Sequence, residues 1–189
     1  MYSIQSYSLA LLFCSFFATN SFVYAADIDA GKSKAALCLG CHGSNGNSKS
    51  PQYPTLAGQR AQYLEAQLKA FQSGQRTSPV MQGMAANLTA LDIQNVSAYF
   101  SSLSTESAGG DSSLAKKGEP KTATCKGCHG TSAQGRGVFP KLAGQQPEYI
   151  EKQLLNFKNR SRKGSPMNAV ASSLSEQDIK EIAAYLGSL

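Results

Sequence analysis

Histidine is scarce in this chain of 189 residues: there are 2, alongside 5 cysteines and no tryptophan. A catalytic triad, or a cluster of several imidazoles and thiolates around a metal, would have to draw on the same few side chains. Charge is thin as well. Only 16% of residues are charged, 18 Lys and Arg against 12 Asp and Glu, for a net charge of +6. So small and dispersed an excess gives no case for nucleic acid, although it suits an acidic protein partner or an anionic membrane surface. Apolar and polar residues nowhere alternate with period two over a useful length, so strands lack support. At 41% hydrophobic residues the composition is that of a globular chain, long enough for one large domain or two small ones.

Residues 1–25 hold no charged side chain, and an apolar stretch from Leu9 to Phe17 leads to Val23-Tyr24-Ala25 before Ala26-Asp27. Small residues there fit a secretory signal cut after Ala25 or Ala26. The leader departs from the usual pattern in having no Lys or Arg near its start. A spanning helix needs ~20 apolar residues, and this run is shorter and ends in Thr19, Asn20 and Ser21. Lipid attachment at Cys14 is another option, against which the bulky Phe13 stands. Cleavage would remove Cys14 and leave four cysteines in an oxidising compartment.

Those four fall in two copies of one motif. Cys38-Leu39-Gly40-Cys41-His42 matches Cys125-Lys126-Gly127-Cys128-His129 at an offset of 87, and after a one-residue deletion 20 of the 50 positions from 54 to 103 equal those from 140 to 189. The chain is a duplication, expected as a domain at 26–103, a linker at 104–112 and a second domain at 113–189. The linker, from Ser104 to Ser112, is polar and contains Gly109 and Gly110.

Helical signals recur in both halves. Thr89 and Ser175 stand three residues before Asp92 and Asp178, a close variant of the capping box, with Leu88 and Ile93 (or Leu174 and Ile179) spaced as a hydrophobic staple. The apolar stripes Ile93, Val96, Tyr99, Phe100, Leu103 and Ile179, Ile182, Ala183, Leu186, Leu189 predict a last helix in each half. Middle helices are expected over 62–73 and 148–159. A first helix should lead into each cysteine motif, the second broken by Gly118 and restarting near Pro120. The fold class is all-α. Each half, near 80 residues with few large apolar side chains, needs a staple or a bound apolar group to be comfortably stable.

A CxxCH run reads as a c-type haem attachment site. Its two thiols lie about one helical turn apart and can each add to a vinyl group, while the adjacent imidazole reaches the iron. A four-thiolate zinc site would not need a histidine after each pair. A redox-active CxxC would want a βαβ context, and a disulfide within CxxC would staple little. With His42 and His129 as proximal ligands, no histidine remains for the distal side. Met81 and Met167 align at the offset of 86, each expected in a proline-containing loop just before the last helix, whereas Met84 aligns with Val170 and is assigned to packing. A thioether opposite an imidazole raises the reduction potential and leaves no open coordination position.

On CLGCHG and CKGCHG, YPTLAGQ and FPKLAGQ, Met81 and Met167, and the closing SAYFSSL and AAYLGSL, the chain resembles the di-haem bacterial cytochromes of the cytochrome c4 type over residues 26–189. The resemblance implies two tandem class I cytochrome c domains, each a few helices around one of two covalently bound haem c groups. It implies thioether links at Cys38, Cys41, Cys125 and Cys128, and axial iron ligands His42, Met81, His129 and Met167. It also implies that the carbonyls of Pro54 and Pro140 accept hydrogen bonds from the proximal imidazoles, and that Gly31 and Gly118 let the first and last helices cross closely. The approach to the second motif, Gly118 to Thr124, is shorter than the family pattern.

The function implied is that of a periplasmic electron carrier, not an enzyme, in a respiratory chain and often membrane-associated. A quinol-oxidising complex or a dehydrogenase would be the donor and a terminal haem-copper oxidase the acceptor, with no nucleic acid involved. Alternatives are a di-haem subunit of a flavoprotein dehydrogenase, for instance one oxidising sulfide, a di-haem peroxidase and a zinc-binding module. Lys158, Arg160, Arg162 and Lys163 form a basic cluster after the second middle helix. That cluster reads either as a solvated helix end, the reading preferred, or as a docking patch for an acidic partner.

Overall fold

The computed structural model describes residues 25–189; apart from Ala25, the leader read at 1–25 lies outside the described residues. Within them the chain is helical, with an isolated bridge between Arg136 and Phe139 and no strand. The first half contributes α1 (Ile28–His42), α2 (Ala61–Gln72), α3 (Pro79–Ala85) and α4 (Ala90–Ser102). The second contributes α5 (Ser112–Gly118), a 3-10 turn (Pro120–Thr122), α6 (Lys126–His129), α7 (Pro147–Lys158), α8 (Ser165–Ser172) and α9 (Glu176–Ser188).

The last helices start where the capping signal lies. Thr89 and Ser175 each accept from the backbone N–H three residues on, and Asp92 and Asp178 bond back to the cap residues' N–H groups. The apolar stripe of α4 packs on α1 and α2, and that of α9 on α5 and α7. Val96, Tyr99 and Phe100 join Ala35 and Leu64 in one core, while Ile179, Ile182 and Leu186 join Ile150 and Leu154 in the other. Burying a side chain of the size of Phe100 or Ile182 contributes ~1.5–3 kcal/mol.

The first and last helices cross at glycine. A Cβ on Gly31 would stand 2.1 Å from the carbonyl oxygen of Asn95, and one on Gly118 would stand 1.9 Å from that of Glu181. Only a residue without a side chain allows the backbones to approach so closely.

Two local expectations need correction. Pro120 opens a 3-10 turn rather than a renewed α-helix, and α-helical structure returns only at Lys126. The Pro ring removes a donor and the stretch up to Thr124 is too short to recover regular i→i+4 bonding. The segments carrying Met81 and Met167 are short helices, not loops. Pro79 and Pro166 occupy first-turn positions, and the Ser78 hydroxyl accepts from the backbone N–H of Met81. Proline there starts a helix rather than preventing one.

The segment 104–112 is held by both halves. The Thr105 hydroxyl donates to the Ala57 carbonyl at 2.6 Å, and the Ser107 hydroxyl to the Gly187 carbonyl at 2.8 Å. Lys141 Nζ donates to the Thr105 hydroxyl at 2.8 Å.

Candidate functional site

In each half a cysteine pair and its histidine end a helix, with the glycine after the histidine at positive φ, 90° at Gly43 and 88° at Gly130. This conformation turns the chain away just past the imidazole. Nδ1 of His42 lies 2.8 Å from the Pro54 carbonyl oxygen, and Nδ1 of His129 lies 2.8 Å from that of Pro140. A carbonyl can only accept, so the proton sits on Nδ1 and leaves the Nε2 lone pair for a metal. Burial lowers the pKa of both imidazoles, with the bond to the proline carbonyl opposing it, so the ring is held neutral as ligation requires. Tyr53 and Phe139 meet the two rings edge-on, with centroids 6.1 and 6.3 Å away.

The cysteines are free thiols on the helix ends, Cys41 and Cys128 exposed and Cys38 and Cys125 half-buried. Burial pushes the Cys38 and Cys125 thiols up, at Cys38 with the neighbouring Cys41 adding to it. The two pairs stay in separate halves, and no cluster of three or more His, Cys, Asp or Glu that could hold a metal forms among the described residues. That geometry removes the basis for a shared four-thiolate zinc site.

A cavity of about 850 Å³ opens between the halves, within the ~300–1,000 Å³ typical of cofactor pockets. Cys125, Cys128, His129 and Met167 line it together with apolar Leu142 and Ile150, and the first half adds Pro54, Tyr63 and Arg76. Met167 packs against the second core. Met81 is half-buried on α3, whereas Met84 is 41% exposed.

The cavity also holds two guanidinium groups, that of Arg76, which had no expected role, and that of Arg162, expected in the basic cluster after the second middle helix. Arg76 donates to Gln67 Oε1 at 2.7 Å, to the Tyr149 hydroxyl at 2.8 Å and to Gln153 Oε1 at 3.0 Å. Arg162 does the converse, donating to Gln153 Oε1 at 2.7 Å, to Gln67 Oε1 at 2.8 Å and to the Tyr63 hydroxyl at 3.0 Å. Each guanidinium also lies over a phenylalanine of its own half, 4.7 Å from Phe71 and 4.6 Å from Phe157. Among the described residues neither has a carboxylate at ion-pairing distance. Two such cations in a partly desolvated space call for an anionic ligand. An apolar macrocycle with carboxylate-bearing edges, held by thiols and a neutral imidazole, meets all of these requirements.

Arg162 therefore does not belong to a surface patch. Lys158 is committed too, its Nζ donating to the Leu174 carbonyl at 2.5 Å, which leaves Arg160 and Lys163 as the exposed members of the basic cluster.

Comparison with known proteins agrees with this geometry. The cytochrome c family pattern matches residues 28–104 and 115–189. Cytochrome c4 of Pseudomonas aeruginosa is 37% identical over 180 residues, covering 87% of this chain and 90% of that protein. A thiosulfate dehydrogenase electron acceptor of Thiomonas intermedia is 36% identical over 170 residues, covering 81% of this chain and 78% of that protein. The crystal structure of reduced recombinant cytochrome c4 from Pseudomonas stutzeri superposes with a TM-score of 0.82 at 36% identity, covering 87% of this chain and 100% of that one. With its CxxCH motifs at 38–42 and 125–129, the chain belongs to the cytochrome c4 family, electron carriers of two tandem cytochrome c domains with two covalently bound haem c groups.

Proposed function

We propose that this protein shuttles electrons in the periplasm through two sites of identical ligation, His42 with Met81 and His129 with Met167. Cys38 and Cys41 would hold one haem by thioether bonds and Cys125 and Cys128 the other. The observation that carries this reading is the common lining of one cavity by Cys125, Cys128, His129 and Met167. The same residue types recur at equivalent positions in the first half. Haem c would supply a one-electron iron couple, and ligation by a methionine thioether and a histidine imidazole would favour a high potential. The protein's own contribution is to fix each imidazole as its Nδ1–H tautomer through Pro54 or Pro140 and to bury it away from water. It also sets Arg76 and Arg162 where negative charge must be accommodated.

The leader at 1–25 supports export to the periplasm, where the domains 26–103 and 113–189 would fold around their haems. No described helix is long and apolar enough to cross a membrane. Any membrane association would then be peripheral, or through the leader. For the partners, a quinol-oxidising complex or a dehydrogenase would donate and a terminal haem-copper oxidase would accept. The similarity to a thiosulfate dehydrogenase electron acceptor favours a second reading, in which a dehydrogenase of a reduced sulfur compound is the donor.

A spectroelectrochemical titration of the mature holoprotein tests the first part. Two covalently bound haems with low-spin His/Met spectra are expected, and fewer than two haems, or a ligand other than methionine, would overturn it. Steady-state reduction by thiosulfate dehydrogenase, compared with reduction by a quinol-oxidising complex, separates the two donors.

A further inference from the structure

The peptide group joining Pro54 to Thr55 is engaged at both ends. Its carbonyl accepts from His42 Nδ1 at 2.8 Å, and its N–H donates to Oε1 of Gln145 at 2.7 Å. Gln145 lies in the other half of the molecule, and its Nε2 returns a bond to the Thr55 carbonyl at 2.9 Å. The converse arrangement is complete. The peptide joining Pro140 to Lys141 accepts from His129 Nδ1 at 2.8 Å and donates to Oε1 of Gln59 at 2.8 Å, while Gln59 Nε2 donates to the Lys141 carbonyl at 2.9 Å.

Both glutamines are buried, Gln59 at 6% and Gln145 at 7% exposure, so water competes poorly for these bonds. Each Oε1 also accepts the backbone N–H of the next residue, Arg60 or Gln146, at 3.0 Å, which fixes the direction of the amide.

Hydrogen bonds in series polarise one another, by ~10–30% per bond. When a peptide N–H donates, its nitrogen releases more density to the carbonyl, which becomes a stronger acceptor. A stronger acceptor pulls harder on the Nδ1 proton and makes the imidazole a richer donor through Nε2. A richer donor favours the oxidised metal.

We propose that Gln145 is a positioning residue for His42, and Gln59 for His129, each lowering the reduction potential of the site in the opposite half through one peptide group. The inference rests on the reading of His42 and His129 as proximal ligands. A glutamine serving only as glue between the halves would, once removed, disturb the two sites together or neither. The bonding pattern instead requires crossed, one-to-one effects.

The experiment uses the holoprotein and its Gln145→Leu and Gln59→Leu variants, with each site followed through its own methionine methyl resonance during a redox titration. In the reduced protein, ring-current shifts of the His42 and His129 ring protons first establish whether these imidazoles sit on the haems. Without those shifts the ligation reading itself fails, separately from the present inference. With them, Gln145→Leu should raise the midpoint of the first-half site and Gln59→Leu that of the second. The expected size is a few-fold change in the reduced-to-oxidised ratio, because the glutamine reaches the imidazole only through an intervening peptide group. The Nδ1–H proton of the affected histidine should move upfield while its counterpart stays in place.

Gln145→Glu retains the acceptor oxygen and should move the His42 proton downfield and the first-half midpoint down, whether or not the leucine variants yield folded holoprotein. Effects on the variant's own half, equal effects on both sites, or no change at either histidine would overturn the inference.

Discussion

Gly118 and Glu181 approach so closely that the carbonyl oxygen of Glu181 occupies the place of a Cβ, 1.9 Å from where one would be built. Gly31 and Asn95 stand in the same relation, at 2.1 Å. The atom in the way is backbone in both cases, so it cannot swing aside. Gly118→Ala should cost ~1–3 kcal/mol or more by overpacking, and Gly31→Ala a similar amount. Urea denaturation of each variant, with far-ultraviolet circular dichroism as readout, checks this.

The three methionines compared at the sites should separate by role. Met81→Ala and Met167→Ala should each lower the midpoint of one site by on the order of 0.1 V, a fraction of the ~0.8 V that axial ligands span. Each should also open that iron to added imidazole. Met84 is exposed at 41%, and Met84→Leu should do neither. Ligand titrations followed by visible absorption decide between these outcomes.

Removing a cavity cation should act electrostatically. Arg162→Gln takes a positive charge from a partly desolvated space, where charge interactions are stronger than in water. The oxidised state gains relative stability, and the midpoints should fall. Exposed charges are screened by salt and buried ones much less so. The fall should therefore persist at high ionic strength, as spectroelectrochemistry in 0.05 and ~1 M salt would report.

Acid sensitivity should trace to the caps of the last helices. Hydrogen bonds from Lys121, then from the Ser175 hydroxyl and backbone N–H, hold the Asp178 carboxyl well below the usual carboxylate range. At Asp92 the Thr89 backbone and hydroxyl act first and Lys34 adds to them. A carboxyl depressed in the folded state contributes stability above its unfolded value, ~3.9, and loses it as pH falls towards the folded value. Asp178→Asn should thus weaken the protein at pH 7 and flatten the decline below ~4. Urea midpoints across that interval would test both effects.

Much of this was legible in the sequence. Thr89 with Asp92 and Ser175 with Asp178 located the starts of α4 and α9, because a capping box is a local interaction between residues three apart. Gln62 and Glu148, proposed as the starts of the middle helices, lie one residue inside the observed elements. The methionine segments were harder. Pro79 and Pro166 suggest a loop when proline is read as a breaker, but they are first-turn residues, and the difference depends on which neighbour supplies the cap. The network of Arg76, Arg162, Tyr63, Tyr149, Gln67 and Gln153 could not be derived from either half alone, since four of its six bonds run between halves. Its signal was nevertheless present, because Gln59, Tyr63, Gln67 and Arg76 are among the positions identical to their counterparts 86 residues later. Identity at polar positions that no helix stripe requires was the available clue.

The reciprocity of those contacts has a consequence for how the molecule is held together. Gln59 meets Lys141 as Gln145 meets Thr55, and Arg76 meets Tyr149 as Arg162 meets Tyr63. Self-complementary pairing of this kind is what a two-fold symmetric dimer uses. The chain is, in effect, a dimer of related partners made permanent by residues 104–112. The tether turns association into an intramolecular event at high effective concentration, so docking of the two halves does not depend on how dilute the protein is.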